Sequence, residues 1–98
     1  MPKFEIATQT LPTSLVWAYQ GDFKLIKVEI ANNTGQTAMV EVWDGAGNCI
    51  MPPQSLADKM LQDYNATFGR TMYKGMKWKA SIDGLTGYMI GCPIGESV

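Results

Sequence analysis

The sequence contains no histidine. That removes the side chain most often used for proton transfer near neutral pH, and the commonest nitrogen ligand for metal ions. Cysteine is scarce: Cys49 and Cys92 are the two present, too few for a disulfide-built scaffold and without metal-ligand spacing. Both read as small buried hydrophobes, with a disulfide between them as the alternative. No apolar run approaches the roughly 18 residues of a membrane-spanning helix, so membrane contact is not expected. The opening MPKFEIATQT lacks the apolar stretch of a secretion signal, and the expectation is a soluble chain made in the cytosol. Charged residues make up 17% of the chain and the net charge is -1, which argues against whole-chain binding to nucleic acid, because counterion release needs many clustered cations.

What is present is a chain of 98 residues with 46% hydrophobic content. That suits one domain over residues 1–98, with residues 1–10 as an N-terminal arm or edge strand. At this size folding buries roughly two-thirds of the surface exposed by the unfolded chain, enough for one modest core. Short runs of alternating apolar and polar residues recur between turn residues, the pattern of an antiparallel sandwich or small barrel. KFEIAT and SLVWAY, separated by Leu11-Pro12-Thr13, read as edge or near-edge strands, since proline removes a ladder donor. KLIKVEIAN sets Ile26, Val28 and Ile30 against Lys27 and Glu29. TAMVEVWD sets Val40 and Val42 against Met39, Glu41 and Trp43. Asn33 and Gly35 between them predict a tight hairpin.

DGAGN, at 44–48, predicts a second turn, followed by a short strand from Cys49 to Met51 that Pro52-Pro53 terminates. Asp44, Gly45 and Asn48 look like calcium-loop residues, but Ser55 stands where an EF-hand loop needs its bidentate glutamate, so no metal is assigned. SLADKMLQDY fits a single helical turn or a polar bridging loop. YNATFGRTMY puts Tyr64, Ala66 and Phe68 on one face of a strand ending near Gly69. GMKWKASIDGLTGYMIG reads as a hairpin with Met76, Trp78, Ala80 and Ile82 inward. The expected fold is therefore all-β: a single small antiparallel sandwich, jelly-roll or immunoglobulin-like, of seven to eight short strands.

No constellation carries catalytic chemistry. The nine carboxylates are scattered, Cys49 has no histidine to make it a thiolate, and the glycines of DGAG and IDGLTG precede no helix that would cradle phosphate. The expectation is a protein that is not an enzyme and carries no cofactor. Asn-x-Thr sequences at 32–34 and 65–67 read as turn or strand polar residues. From Tyr64 to Ile82 the chain carries Arg70, Lys74, Lys77 and Lys79 with no acidic residue, a positive stripe whose ordinary role is to solvate outer strand faces and whose functional role is contact with an acidic protein surface. Most aromatics belong to packing. Trp43, on the face of Glu41, and Tyr73, beside Arg70 and Lys74, have the aromatic and cationic character of interface anchors. The candidate partner-contact residues are Met39, Trp43, Arg70, Tyr73 and Lys74.

Four stretches carry a resemblance that runs from about Leu15 to Pro93: VWAYQGDF, VEIANNTGQTAMVEVWDGAGN, the proline turn MPPQSL, and the closing YNATFGRTMYKGMKWKASIDGLTGYMIG. In their order and spacing the chain resembles the small β-sandwich virion proteins of tailed bacteriophages. The resemblance implies a structural protein of decoration or cement type that binds the outer capsid lattice and stabilises it, often as a homotrimer. Its partner would be the major capsid protein or another virion protein, and its location the virion, after synthesis in the host cytoplasm. A head-to-tail or tail-associated structural protein, and a receptor-binding or carbohydrate-binding sandwich module, remain as alternatives.

Overall fold

The computed structural model describes residues 4–95, and side chains at residues 9–66 and 68–95. Residues 1–3 of the expected arm lie outside the described residues. Eight strands follow one another: β1 (Phe4–Thr10), β2 (Val16–Gln20), β3 (Phe23–Ala31), β4 (Ala38–Asp44), β5 (Cys49–Leu56), β6 (Leu61–Met72), β7 (Gly75–Ala80) and β8 (Thr86–Cys92). They form two four-stranded sheets, β1-β8-β3-β6 and β2-β7-β4-β5, in which every paired neighbour is antiparallel. β1 pairs with β8, β2 with β7, β3 with β6 and β4 with β5. The chain is thus one long folded-back ribbon with its tip at residues 45–48, rolled until β3 also meets β8 and β4 also meets β7. That is the jelly-roll order, one of the two sandwich shapes expected from the strand spacing.

Strand alternation supplies the core. β4 buries Ala38, Val40, Val42 and Asp44 and turns Met39, Glu41 and Trp43 outward. β7 buries Met76, Trp78 and Ala80, and Trp78 is the largest fully buried side chain, 1% exposed. Phe23, Leu25, Val28 and Ile30 of β3 meet it from the opposite sheet together with Met89 of β8. Each such side chain contributes roughly 1.5–3 kcal/mol through apolar burial. Gly87 makes room for this packing: a Cβ there would lie 2.5 Å from Leu11 Cδ1 and 2.7 Å from Trp78 Cζ3. As expected, β1 and β2 are edge strands.

Other expectations are corrected. β3 and β4 are not a hairpin but lie in opposite sheets, and residues 32–37 cross between them. The crossing is held by Asn32, fully buried, whose Nδ2 donates to the carbonyls of Gln36 and Leu56, both at 2.8 Å, while its Oδ1 accepts from Thr34 N and Thr34 Oγ1. A buried amide is tolerable because every one of these groups is bonded. β7 and β8 likewise belong to different sheets, so GMKWKASIDGLTGYMIG is a crossover. Alternation fixes which side of a strand is wet, and a short polar connection looks the same whether its strands pair or face each other.

Ile26 sits at a register shift between Leu25 and Lys27 and is half-buried, so the core side of β3 is Phe23, Leu25, Val28 and Ile30. β5 continues through Pro52-Pro53 to Leu56 because it is an edge strand, and the prolines fall where its register with β4 shifts. No helix forms at 55–62: Leu56 ends β5, a turn follows, and Leu61 starts β6. β6 runs past Gly69 to Met72, with a wide bulge: Asn65 lies opposite Lys27 but Arg70 opposite Leu25. Phe68, on that bulge, is 87% exposed and does not share the face of Tyr64, which packs against the core. Cys92 is buried, Cys49 only half-buried, and both are free thiols.

Candidate functional site

The outer face of β2-β7-β4-β5 gathers the aromatic and cationic residues. Register places Trp17 of β2 opposite Lys77 of β7, Lys77 opposite Trp43 of β4, and Trp43 opposite Cys49 of β5. Directly opposed residues share a face, so these side chains form one row across the sheet. The Lys77 ammonium lies 4.5 Å from the Trp17 ring centroid, within cation–π range. Trp17 can lie flat because Gly45 and Gly75 lack side chains: a Cβ at Gly45 would stand 2.5 Å from Trp17 Cη2 and 2.8 Å from Lys74 Cβ. Gly75 also has φ of 122°, and a Cβ there would meet the Tyr19 carbonyl oxygen.

One step along the sheet, Lys79 faces Glu41 with Nζ and Oε1 3.5 Å apart, and Glu41 Oε2 accepts the Trp43 indole N–H at 3.1 Å. One step further, Met39 and Ser81 exchange hydrogen bonds, Ser81 N–H to the Met39 carbonyl and Met39 N–H to Ser81 Oγ, both at 2.9 Å. Met39 is 42% exposed and borders an open groove of about 450 Å³ that Thr13, Pro53, Glu41 and Lys79 also line.

The turn at the opposite end of this face is built on Asp44. Its Oδ1 accepts from Ala46 N at 3.0 Å and Asn48 N at 2.7 Å, and its Oδ2 from Asn48 Nδ2 at 2.8 Å. Burial pushes the carboxyl up, but the bonds from the Asn48 side chain and from the backbone of Asn48, Ala46 and Tyr73 outweigh it and hold the group below its ordinary value. The residues that looked like a calcium loop are therefore a self-bonded turn, with the carboxylate joining the β4–β5 turn to the β6–β7 link. In that link Lys74 adopts φ of 68°, its N–H donates to Asp22 Oδ1 at 2.7 Å, and its carbonyl accepts from Gly21 N.

Of the five candidate contact residues, four lie on one outer face or at its end. Met39 and Trp43 lie on the outer face, Trp43 half-buried, and Tyr73 and Lys74 cap its Gly45–Gly75 end, Tyr73 being 54% exposed. Arg70 does not join them: it is on β6 of the other sheet, where Nη1 donates to Tyr64 Oη at 3.4 Å. The positive stripe is split between sheets. Lys77 was read from sequence only as a member of the positive stripe, and Trp17 and Pro53 were not ranked as contacts, because register and edge position are tertiary; glycines at 45 and 75 are the one linear hint that a ring packs nearby.

The other outer face differs in charge. Lys27 and Glu29 pair there at 3.0 Å, the hydrogen bond and charge of Glu29 holding the Lys27 ammonium above its ordinary value. Among the described residues no ion pair involves Lys74 or Lys77, and no cluster of three histidine, cysteine or acidic side chains forms. No protein-family model matches the chain, and no curated protein or solved structure matches it.

Proposed function

We propose that this chain is a non-enzymatic structural protein of a virion, of the capsid decoration or cement type, docking through the outer face of β2-β7-β4-β5. The observation that carries the reading is the Trp17–Lys77–Trp43 row beside the Met39 groove: half-exposed tryptophans, a lysine that forms no ion pair among the described residues and a recess bordered by Met39 and Pro53 are the composition of a protein-contact patch. The jelly roll is used by capsid proteins and by lectins alike, so the fold is an analogy that fits more than one role. Protein contact is favoured over sugar stacking because the Trp17 ring already carries the Lys77 ammonium 4.5 Å from its centroid.

In this role copies associate, a trimer being the expected state, and bridge neighbouring lattice subunits, so that binding to the assembled shell stabilises it by mass action. The test is co-sedimentation of the purified protein with particles assembled from the capsid protein of the same genome, alongside light scattering of the protein alone. Saturation at a lattice stoichiometry, lost in Trp43→Ala and Lys77→Glu but kept in Arg70→Glu, is expected. Absence of particle binding ends the decoration reading, and binding only at a single vertex reassigns the protein to the head-to-tail junction.

A further inference from the structure

Three features of the outer face have fixed relative positions. The first holds two lysines: Lys74 and Lys77 flank Trp17 at one end, and among the described residues neither takes part in an ion pair, while the carboxylate bonded there, Asp22, accepts from the Lys74 backbone N–H. The second is neutral, because Lys79 and Glu41 are already paired with each other. The third is the groove beyond that pair, which Met39 and Pro53 border and which Lys79 and Glu41 also line. Trp43 and Met39 mark the two ends on a single strand, four residues apart, which at about 3.4 Å per residue is roughly 14 Å. An extended chain laid along this face presents alternate side chains to it, and its residues i and i+4 are separated by the same distance.

We propose that the face recognises an extended acidic segment of the partner protein, with a carboxylate meeting Lys74 and Lys77, a small uncharged residue over the Lys79–Glu41 pair, and an apolar side chain four residues away in the Met39 groove. This deepens the docking reading and rests on it. Charge complementarity selects the occupant. A second copy stacked so that the two Lys74–Lys77 ends meet would set like charges against each other, which is unfavourable. On the opposite outer face Lys27 is already paired with Glu29, and Arg70 of β6 donates to the Tyr64 hydroxyl.

The experiment is a selection of displayed twelve-residue random peptides on the folded protein at low salt, repeated on Lys77→Glu and Met39→Glu, with thermal unfolding used to verify that both variants remain folded. Enriched peptides are expected to carry Asp or Glu four residues from Leu, Ile, Met or Phe. A synthetic peptide of that sequence should quench tryptophan fluorescence saturably, bind at least about tenfold more weakly to Lys77→Glu, and weaken as salt is raised. No enrichment, enrichment without the acidic residue or with another spacing, or binding indifferent to Lys77 overturns the proposal. So does self-association or glycan binding that Lys77→Glu abolishes, since the face then has a different occupant. If peptides fail while particle binding is still lost in Lys77→Glu, the extended-segment proposal falls and the docking reading stands; if both fail, both fall.

Discussion

Replacing Asp44 by alanine is expected to destabilise the fold by about 3 kcal/mol at pH 7. The carboxylate accepts four hydrogen bonds, three of them from backbone N–H groups of Ala46, Asn48 and Tyr73. Removing it strands those three donors. A buried donor left without an acceptor costs about 1–3 kcal/mol, and since Ala46, Asn48 and Tyr73 are exposed enough for water to reach the turn, the lower end applies to each. For a domain of this size about 4–8 °C is lost per kcal/mol, so the midpoint should fall by roughly 12–24 °C. Urea unfolding followed by tryptophan fluorescence reads the loss as a lower midpoint at unchanged slope. The pH dependence gives a second test. The folded carboxyl lies below its ordinary value, so its contribution is complete above the unfolded-state pKa, near 3.9, and fades as pH falls through the lower folded value. The stability gap between the parent and Asp44→Asn should therefore be constant from pH 7 down to about 5 and narrow below about 4. A loss in Asp44→Ala under about 0.5 kcal/mol, the size of an ordinary surface substitution, would refute the account of the turn. So would a gap to Asp44→Asn that does not change in acid.

Two further substitutions test the packing and the backbone. Gly87→Ala drives a methyl group into Leu11 and Trp78 and should destabilise by about 1–3 kcal/mol by thermal or urea unfolding, although alanine is otherwise the better strand residue. Lys74→Gly relieves a left-handed conformation that costs an L-residue about 1–2 kcal/mol, partly offset by the greater freedom of glycine in the unfolded chain. A gain of up to about 1 kcal/mol is expected, and a loss would mean that the Lys74 side chain itself holds the turn.

The legible part of the fold was the wet and dry sides of individual strands. Val40 and Val42 face inward and Met39, Glu41 and Trp43 outward, as their alternation requires. Trp78 is in the core for the same reason. Edge positions for β1 and β2 followed from the proline that separates them. Alternation and structure part where an irregularity breaks the two-residue period, at Ile26 in β3 and at the bulge of β6, and where an edge strand tolerates Pro52-Pro53. A bulge resets which residues face inward without any required residue type, so periodicity reads straight through it.

The candidate site divides along the same line. Met39 and Trp43 were accessible from one strand, and Tyr73 and Lys74 from the aromatic and cationic character of one short stretch. Trp17 joined them only because β2 pairs with β7, sixty residues away along the chain, which sets it opposite Lys77. Arg70 was separated from Lys74 because the link at 73–74 crosses from one sheet to the other. By itself the sequence determined the class of fold and the face each strand shows to water, because those follow from the local period of apolar residues. Tertiary structure alone decided which strands are neighbours, and hence that the ribbon rolls into β1-β8-β3-β6 over β2-β7-β4-β5. Pairing is chosen by the mutual fit of side chains from distant segments around Trp78, and no local pattern contains that fit.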